Sequence, residues 1–472
     1  MSTATRRNFL KTGLFLAGGA GLGWAAIHQA SRRRRPDMPH PDLGPLKPVT
    51  DPTTGLDLLS LPEGFRYLTM GWAGQAMSDG FAGPQKADGM GVVAENDGLV
   101  TLVRNHELRG SSGPIGNPSA AYDNTGGGTT TLLFDSRRER LEASFISLNG
   151  TLNNCAGGVT PWGTWLSCEE GPLTPEFLHH GNEARQATWA IENAQRKHGY
   201  VFEVNPGGVP DPQPIVPMGQ FYHEAVAIDE SSGIAYMTED RAPFAGFYRY
   251  LPNSPGKLAD GGRLQMMRVK GASVLADHVP LFEPMMVDWV DIAEPDQGHT
   301  PGTHDCSGVV QQGIDAGATA FRSLEGCSIE GADLFFTSKN GGRNYAGMIF
   351  HYDLDAQTVQ AIWEAPGNGG FTGPDNITVS PRGSLMICED NESSLNRGQQ
   401  ISGMDRQGQV FAFCRFNPEF KGTYLGHDLV RTSLFSEWAG VCFSKDGQWM
   451  FANMFRPGFT CAITGPWGRG PV

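Results

Sequence analysis

Six times along the chain two short apolar stretches flank a turn, with polar or acidic residues at both outer ends of the unit. The copies run Asp88 to Glu107, Cys155 to Glu170, His223 to Asp240, Leu324 to Asn340, Pro374 to Asp390 and Glu437 to Asn453. Each has the letters of a β-hairpin: two β-prone runs around a turn that carries Asp, Ser, Pro or Gly. A lone hairpin has no way to bury its own faces and needs neighbours. Repetition therefore predicts an all-β chain folded as a six-bladed β-propeller with insertions between blades. The 63 glycines and 32 prolines fit many turns and few long helices. The stretches Gly171 to Lys197 and Val274 to Ala318 fit the repeat poorly, and are expected to be insertions that roof a central channel.

In an antiparallel hairpin the start of the first strand and the end of the second lie at one edge. A propeller gathers that edge of every blade around its axis. This places Glu107, Cys155, Glu169, Glu224, Glu325, Asp375 and Glu389 toward one rim as candidate metal ligands. Hard divalent cations such as calcium take six to eight oxygens, and Asn105, Glu170, Asn376 and Asp390 extend the supply. The Cys155 thiolate, next to Glu224 or Glu325, would favour a transition metal such as iron in part of the site. Without cations the same carboxylates would repel one another and bind protons more tightly. For any one acid the alternative is an ordinary solvated strand end. His106 and His223 adjoin candidate acids, and strand alternation assigns them to the opposite face, in the core.

An anionic substrate approaching so many carboxylates needs positive donors. Arg322, Lys339, Arg343 and Arg456 stand at or near hairpin ends, and Arg343, in G-G-R-N-Y-A-G, is the first choice. A guanidinium fork matches phosphate oxygens two at a time; the alternative is salt bridging to surplus acids. The net charge of −14 argues against a nucleic-acid partner, which demands a basic face. The eight cysteines contain no C-x-x-C pair, so a structural zinc module has no support. Six of them sit in strand-like apolar contexts where a buried thiol is expected. There is no G-x-S-x-G elbow, P-loop or H-E-x-x-H helix.

Residues 1–35 read as a targeting segment, followed by one domain over 36–472. T-R-R-N-F-L-K (Thr5 to Lys11) precedes the apolar run Gly13 to Ile27, the pattern of a twin-arginine export signal. A periplasmic or secreted protein is expected, with an uncleaved N-terminal anchor as the alternative, and the twin-arginine translocation machinery as a partner.

The segments L-P-E-G-F-R-Y, N-H-E, N-C-A-G-G-V-T-P-W-G-T-W-L-S-C-E-E, F-Y-H-E-A, P-D-N-I-T-V-S-P-R-G-S-L and F-S-K-D-G-Q-W-M-F-A-N-M-F-R-P-G together resemble the PhoX family of bacterial alkaline phosphatases and its shorter relatives. The resemblance spans almost all of the chain after the leader. It implies a six-bladed propeller, twin-arginine export, and a site with Ca2+ and Fe3+ that hydrolyses small phosphate monoesters, in a chain expected to be a monomer. By the same resemblance Cys155 is the iron ligand and Glu224 the glutamate of H-E. The family's R-x-E segment falls near Arg322 and Glu325, and calcium falls to Glu107, Glu169, Asp375 and Glu389. Arg322 and Arg343 are the candidate catalytic cations. The chain departs from the family in R-S-L-E, with one residue more between arginine and glutamate, and in H-E-A in place of H-E-G. Two other readings stay open: a calcium-dependent propeller lactonase or esterase, and a non-catalytic binding propeller stabilised by calcium.

Overall fold

Each repeated segment forms an antiparallel hairpin. In chain order these are β1 (Ala87–Asn96) with β2 (Leu99–His106), β3 (Asn154–Val159) with β4 (Trp165–Glu169), β5 (His223–Ile228) with β6 (Ala235–Glu239), β7 (Leu324–Glu330) with β8 (Asp333–Ser338), β9 (Pro374–Val379) with β10 (Leu385–Glu389), and β11 (Trp438–Phe443) with β12 (Met450–Met454). The first hairpin shows how the letters set the turn. Asp97 and Gly98 both take positive φ, 51° and 85°, and a two-residue turn of that kind matches the right-handed twist of the strands it joins.

The computed structural model describes residues 38–109, 113–176, 194–208, 210–277, 279–367, 370–390, 398–417, 419–420, 422–429 and 436–472. The leader expected at residues 1–35 lies outside them, as does most of the insertion 171–197. The regular elements of the described residues are mostly strands, with a few single-turn 3-10 helices and the short α-helix α1 (Gly308–Asp315). Further strands pair outward from each hairpin, as Gly127–Asp135 and Arg140–Thr151 do beyond β2. The sheet of β11 and β12 continues through Phe459–Thr464, and its last strand is Arg66–Met70 from near the start of the chain. The insertion 274–318 does something its letters did not announce. Its strand Met285–Asp291 pairs with Gly262–Val269 on one side and Thr358–Glu364 on the other, fusing two hairpin sheets into one of nine strands.

The first strands neighbour one another in a closed cycle: β1 lies beside β3, then β5, β7, β9 and β11, which returns to β1. Backbones approach closely in this cycle, and small residues make that possible. A Cβ on Gly158 would stand 1.9 Å from the Val226 carbonyl oxygen of the next strand. Apolar side chains fill the wedges between adjacent sheets. Met90, Val92, Leu102 and Phe134 meet Cys442, Trp449 and Phe451 in one of them, and each side chain fully buried there stabilises the fold by about 1.5–3 kcal/mol. All eight cysteines are buried and unpaired.

Candidate metal centre

The site is built by a register slip that recurs in every hairpin. Between Ala87 and Met90, Asn154 and Gly157, His223 and Val226, Leu324 and Cys327, Pro374 and Ile377, and Ala439 and Cys442, the first strand uses three steps where its partner uses two. A β-bulge of this kind kinks the strand and re-aims a side chain. The residues at the bulge are Asp88, Cys155, Glu224, Glu325 and Asp375, and all five line one cavity at the end of the channel. The sixth is Gly440 (φ 61°), where a Cβ would stand 2.7 Å from the Met90 nitrogen. That hairpin contributes Ser436, Glu437 and Arg456 from its flanks instead.

Polar side chains on the neighbouring hairpin hold four of these bulges by their carbonyls. Asn105 Nδ2 donates to Cys155 O (3.1 Å), Thr337 Oγ1 to Asp375 O (2.7 Å), Asn453 Nδ2 to Asp88 O and Thr238 Oγ1 to Glu325 O. Asn105, expected as a possible ligand, therefore has a supporting task. Asn376 donates to the Asp375 carboxylate (2.7 Å) and accepts from the Gly440 N–H.

Beside the bulge residues, the cavity is lined by the residue that follows each second strand: Glu107, Glu170, Asp240, Lys339, Asp390 and, in the sixth hairpin, Phe455. With Lys86 and Arg109 these residues enclose about 280 Å³. The wall presents nine carboxylates against four basic side chains. No described residue of the two insertions expected as a roof lines it.

Five of the seven expected ligands, Glu107, Cys155, Glu224, Glu325 and Asp375, meet at the cavity. Glu169 and Glu389 lie behind its wall. Glu169 accepts from the backbone N–H groups of Leu152 (2.8 Å), Gly199 (2.7 Å) and Tyr200 (3.2 Å), and pairs with His198 Nδ1 at 2.7 Å. Glu389 accepts from Thr372 N (3.3 Å) and Gln400 N (3.1 Å). The last paired residue of each second strand points away from the axis, and the next one, Glu170 or Asp390, turns in; an offset of one residue exchanges the two faces.

The two cations expected to act on substrate are also elsewhere. Arg322 precedes β7 at a kink where Ser323 has φ 39°, and its guanidinium lies over the Tyr345 ring at 4.8 Å. Arg343 is exposed, and its backbone N–H donates to Glu364 Oε1 at 2.6 Å. Lys339 and Arg456 are on the wall, joined by Lys86 and Arg109. Asp88, Asp240 and Glu437 were absent from the expected ligands although they open or close copies of the repeat, which was the available signal. His106 and His223 are in the core. His106 bonds the Gln85 carbonyl (2.8 Å) and Thr130 Oγ1 (2.9 Å), and His223 stacks on Phe221 with 3.6 Å between ring centres.

Burial, then mutual repulsion, shapes the acids. Asp88 is held well above the usual carboxylate range by burial and by Glu107 and Asp375. Burial with Asp240 and Glu107 pushes Glu170 up to about 8. Burial also pushes Asp375 up to about 7, with Asp390 and Asp240 adding to it and Lys339 opposing. Glu224, Glu325 and Glu437 are raised strongly for the same leading reason. The Cys155 thiol is raised by burial and by Glu224. Such a set favours a bound cation, which would relieve the repulsion and ionise the ligands.

Among the described residues three groups bring one ligand atom each within 4.8 Å of the others: Asp88, Glu107 and Glu437; Glu224, Glu325 and Asp375; Asp375, Asp390 and Glu437. Asp375 and Glu437 each belong to two groups, so the groups form one connected patch able to hold more than one ion. Oxygen donors suit a hard divalent ion. The sulfur of Cys155, a bulge residue next to that of Glu224, suits a softer metal.

No curated protein matches the sequence. Among solved structures, a gluconolactonase from Xanthomonas campestris is similar over 93% of this chain and all of its own, with 11% identity and a TM-score of 0.42. A putative gluconolactonase shares 11% identity over 89% of this chain and 97% of its own (TM-score 0.40), and the PQQ domain of a pyranose dehydrogenase from Coprinopsis cinerea 9% over 88% and 100% (TM-score 0.32). The family model described as alkaline phosphatase PhoX matches residues 42–133 and 125–458. That match takes in all six hairpins and every residue on the cavity wall, and the chain belongs to the PhoX alkaline phosphatase family.

Proposed function

We propose that this chain is an exported, metal-dependent phosphatase that hydrolyses phosphate monoesters at the acidic end of a six-bladed β-propeller channel. The observation that carries the reading is the convergence of bulge residues from five hairpins on one cavity whose acids outnumber its bases nine to four. The family supports the reaction class, and the closed cycle of first strands supports six blades.

The donor set fits the metals that the family resemblance implies. Asp88, Glu107, Glu437, Asp375 and Asp390 would hold calcium, and Cys155 with Glu224 and Glu325 would hold iron. Bound there, such ions supply Lewis acidity to phosphate oxygens and a bound water of lowered pKa. The chain supplies the rest. Glu107 has two cations against it, with Arg109 Nη2 at 3.1 Å and Lys86 Nζ at 4.0 Å. Arg109 is also oriented by Asn153 Oδ1 (2.7 Å), and Asn153 Nδ2 donates to Glu170 Oε2 (2.6 Å). Arg456 lies over the Phe455 ring at 4.9 Å. Lys86, Arg109 and Arg456 thus replace Arg322 and Arg343 as the groups that would draw in a phosphate and offset charge on its equatorial oxygens.

The test is elemental analysis of protein exported by its own leader, with hydrolysis of p-nitrophenyl phosphate before and after chelation. Bound metal and chelator-sensitive turnover are expected; metal-free protein that still turns over would sink the reading. Export through the twin-arginine route and a monomeric state belong to the same proposal. Arg6→Lys with Arg7→Lys should hold the protein in the cytoplasm, and light scattering should give the mass of one chain.

A further inference from the structure

Where the second strands end at the cavity, four hairpins present an acid: Glu107, Glu170, Asp240 and Asp390. The fourth hairpin presents Lys339 at that place. Its ammonium lies 2.6 Å from Glu325 Oε1, 3.3 Å from Asp390 Oδ2, and 3.9 Å from both Asp240 Oδ2 and Asp375 Oδ2. These carboxylates come from three successive hairpins and surround one point. Four carboxylates converging from separate strands are the donor set of a hard divalent cation, and here a protein side chain sits at their centre.

We propose that Lys339 is a resident cation, which takes the position of a divalent metal on the β7–β9 side of the cavity and so limits how many ions the site holds. The inference rests on the metal-dependent reading above. It follows from the overlap of the ligand groups. Glu224–Glu325–Asp375 and Asp375–Asp390–Glu437 both share acids with the lysine shell, whereas Asp88–Glu107–Glu437 shares none. A metal competes with the ammonium in the first two groups and has the third to itself. The substitution is not neutral chemically: an ammonium carries a single charge, offers no open coordination position to water or phosphate, and is not removed by a chelator. Part of the charge on that flank is thereby offset, and an ion held by Asp375 and Asp390 or by Glu325 shares those carboxylates with the ammonium.

The experiment is metal counting by mass spectrometry, with calorimetric calcium titration, on the exported wild type, Lys339→Gln, Lys339→Glu and Lys339→Arg. The Gln and Glu variants should bind about one more divalent cation per chain than the wild type, and Arg should keep the wild-type number. An unchanged or smaller number in Gln and Glu overturns the inference, as does a higher number in Arg. A Gln variant that folds only when calcium is supplied, with the extra equivalent bound, supports it; one that calcium fails to rescue overturns it. The wild-type count separates the two ideas. A wild type without metal refutes the metal-dependent reading, and an extra calcium in the Gln variant would then still support the lysine's role.

Discussion

Glu169 and Glu170 are consecutive, as are Glu239 and Asp240, and Glu389 and Asp390, yet the members of each pair have opposite surroundings. The first of each pair is fully buried and given donors. Glu169 has three backbone N–H groups and His198, and Glu239 has the Gly246 N–H and the Tyr248 hydroxyl, each at 2.8 Å. The second faces other acids across a cavity. The second is only part-buried, but burial does not define the site, since Glu224 and Glu325 on the cavity wall are as buried as the rear acids. At Glu169 and Glu170 the difference between rear and front is whether the fold already satisfies the acid: Glu169 stabilises the metal-free protein, and Glu170, which burial pushes up to about 8, destabilises it until a cation arrives; Glu239, with one oxygen unpartnered and burial pushing it up to about 7, lies between the two.

That contrast is open to attack, most severely at Glu224. Glu224→Gln should reduce turnover about 100-fold or more and lower the metal content, with an unchanged circular dichroism spectrum; full activity would remove Glu224 from the site. Glu169→Leu should do the converse. Losing the partner of a buried charge costs about 3–5 kcal/mol, visible in guanidinium denaturation, while metal per folded chain stays constant. Metal loss there would erase the distinction between front and rear.

The rear wall also has a pH signature. Burial opposes the charge on His198, but Glu169 and Asp123 outweigh it and raise the ring to about 9 from 6.5. A histidine raised on folding contributes stability that is complete below pH 6.5 and lost as pH rises through about 9. The contribution is on the order of 3 kcal/mol. Unfolding curves between pH 6.5 and 9 should show this decline, and His198→Gln should flatten it. Smallest is the effect at the front wall after chelation. Glu170 near 8 and Asp375 near 7 are raised above their ordinary values, so the chelated protein should be most stable in mild acid and weaken as pH rises through 7 to 8. Glu170→Gln should stabilise the chelated protein at pH 8 by on the order of 1 kcal/mol; destabilisation there would place Glu170 with the rear acids.

The hairpins were legible because turn letters and β-prone runs are local, and the copies align by eye around S-P-R-G, E-S-S-G and S-K-D-G. Their outer ends gave Glu107, Cys155, Glu224, Glu325 and Asp375 for the same reason. The one-residue choice between Glu169 and Glu170 was not legible. Two successive acids end the second strand with nothing in the letters to say where its pairing stops, and the bulge on the facing first strand carries only a small residue as its mark, as at Gly89, Ala156, Ala225 and Gly326. The place of Arg322, over the Tyr345 ring and off the cavity wall, was not legible either, and the positive φ of Ser323 beside it has no signature in a serine. The His198–Glu169–Asp123 cluster unites three segments far apart in sequence, beyond the reach of any local pattern. The strand Met285–Asp291 gains its place only from the two edges it joins.

The strand Arg66–Met70, which completes the sheet of β11 and β12, precedes all six hairpins in the sequence and pairs with Phe459–Thr464, which follows them. Every wall of the cavity depends on that closure, since its side chains come from all six hairpins. During synthesis the earlier hairpins therefore exist before the wall is complete, because Ser436, Glu437, Phe455 and Arg456 come from the sixth. A metal held by this wall would thus have to wait for the sixth hairpin to dock against the first.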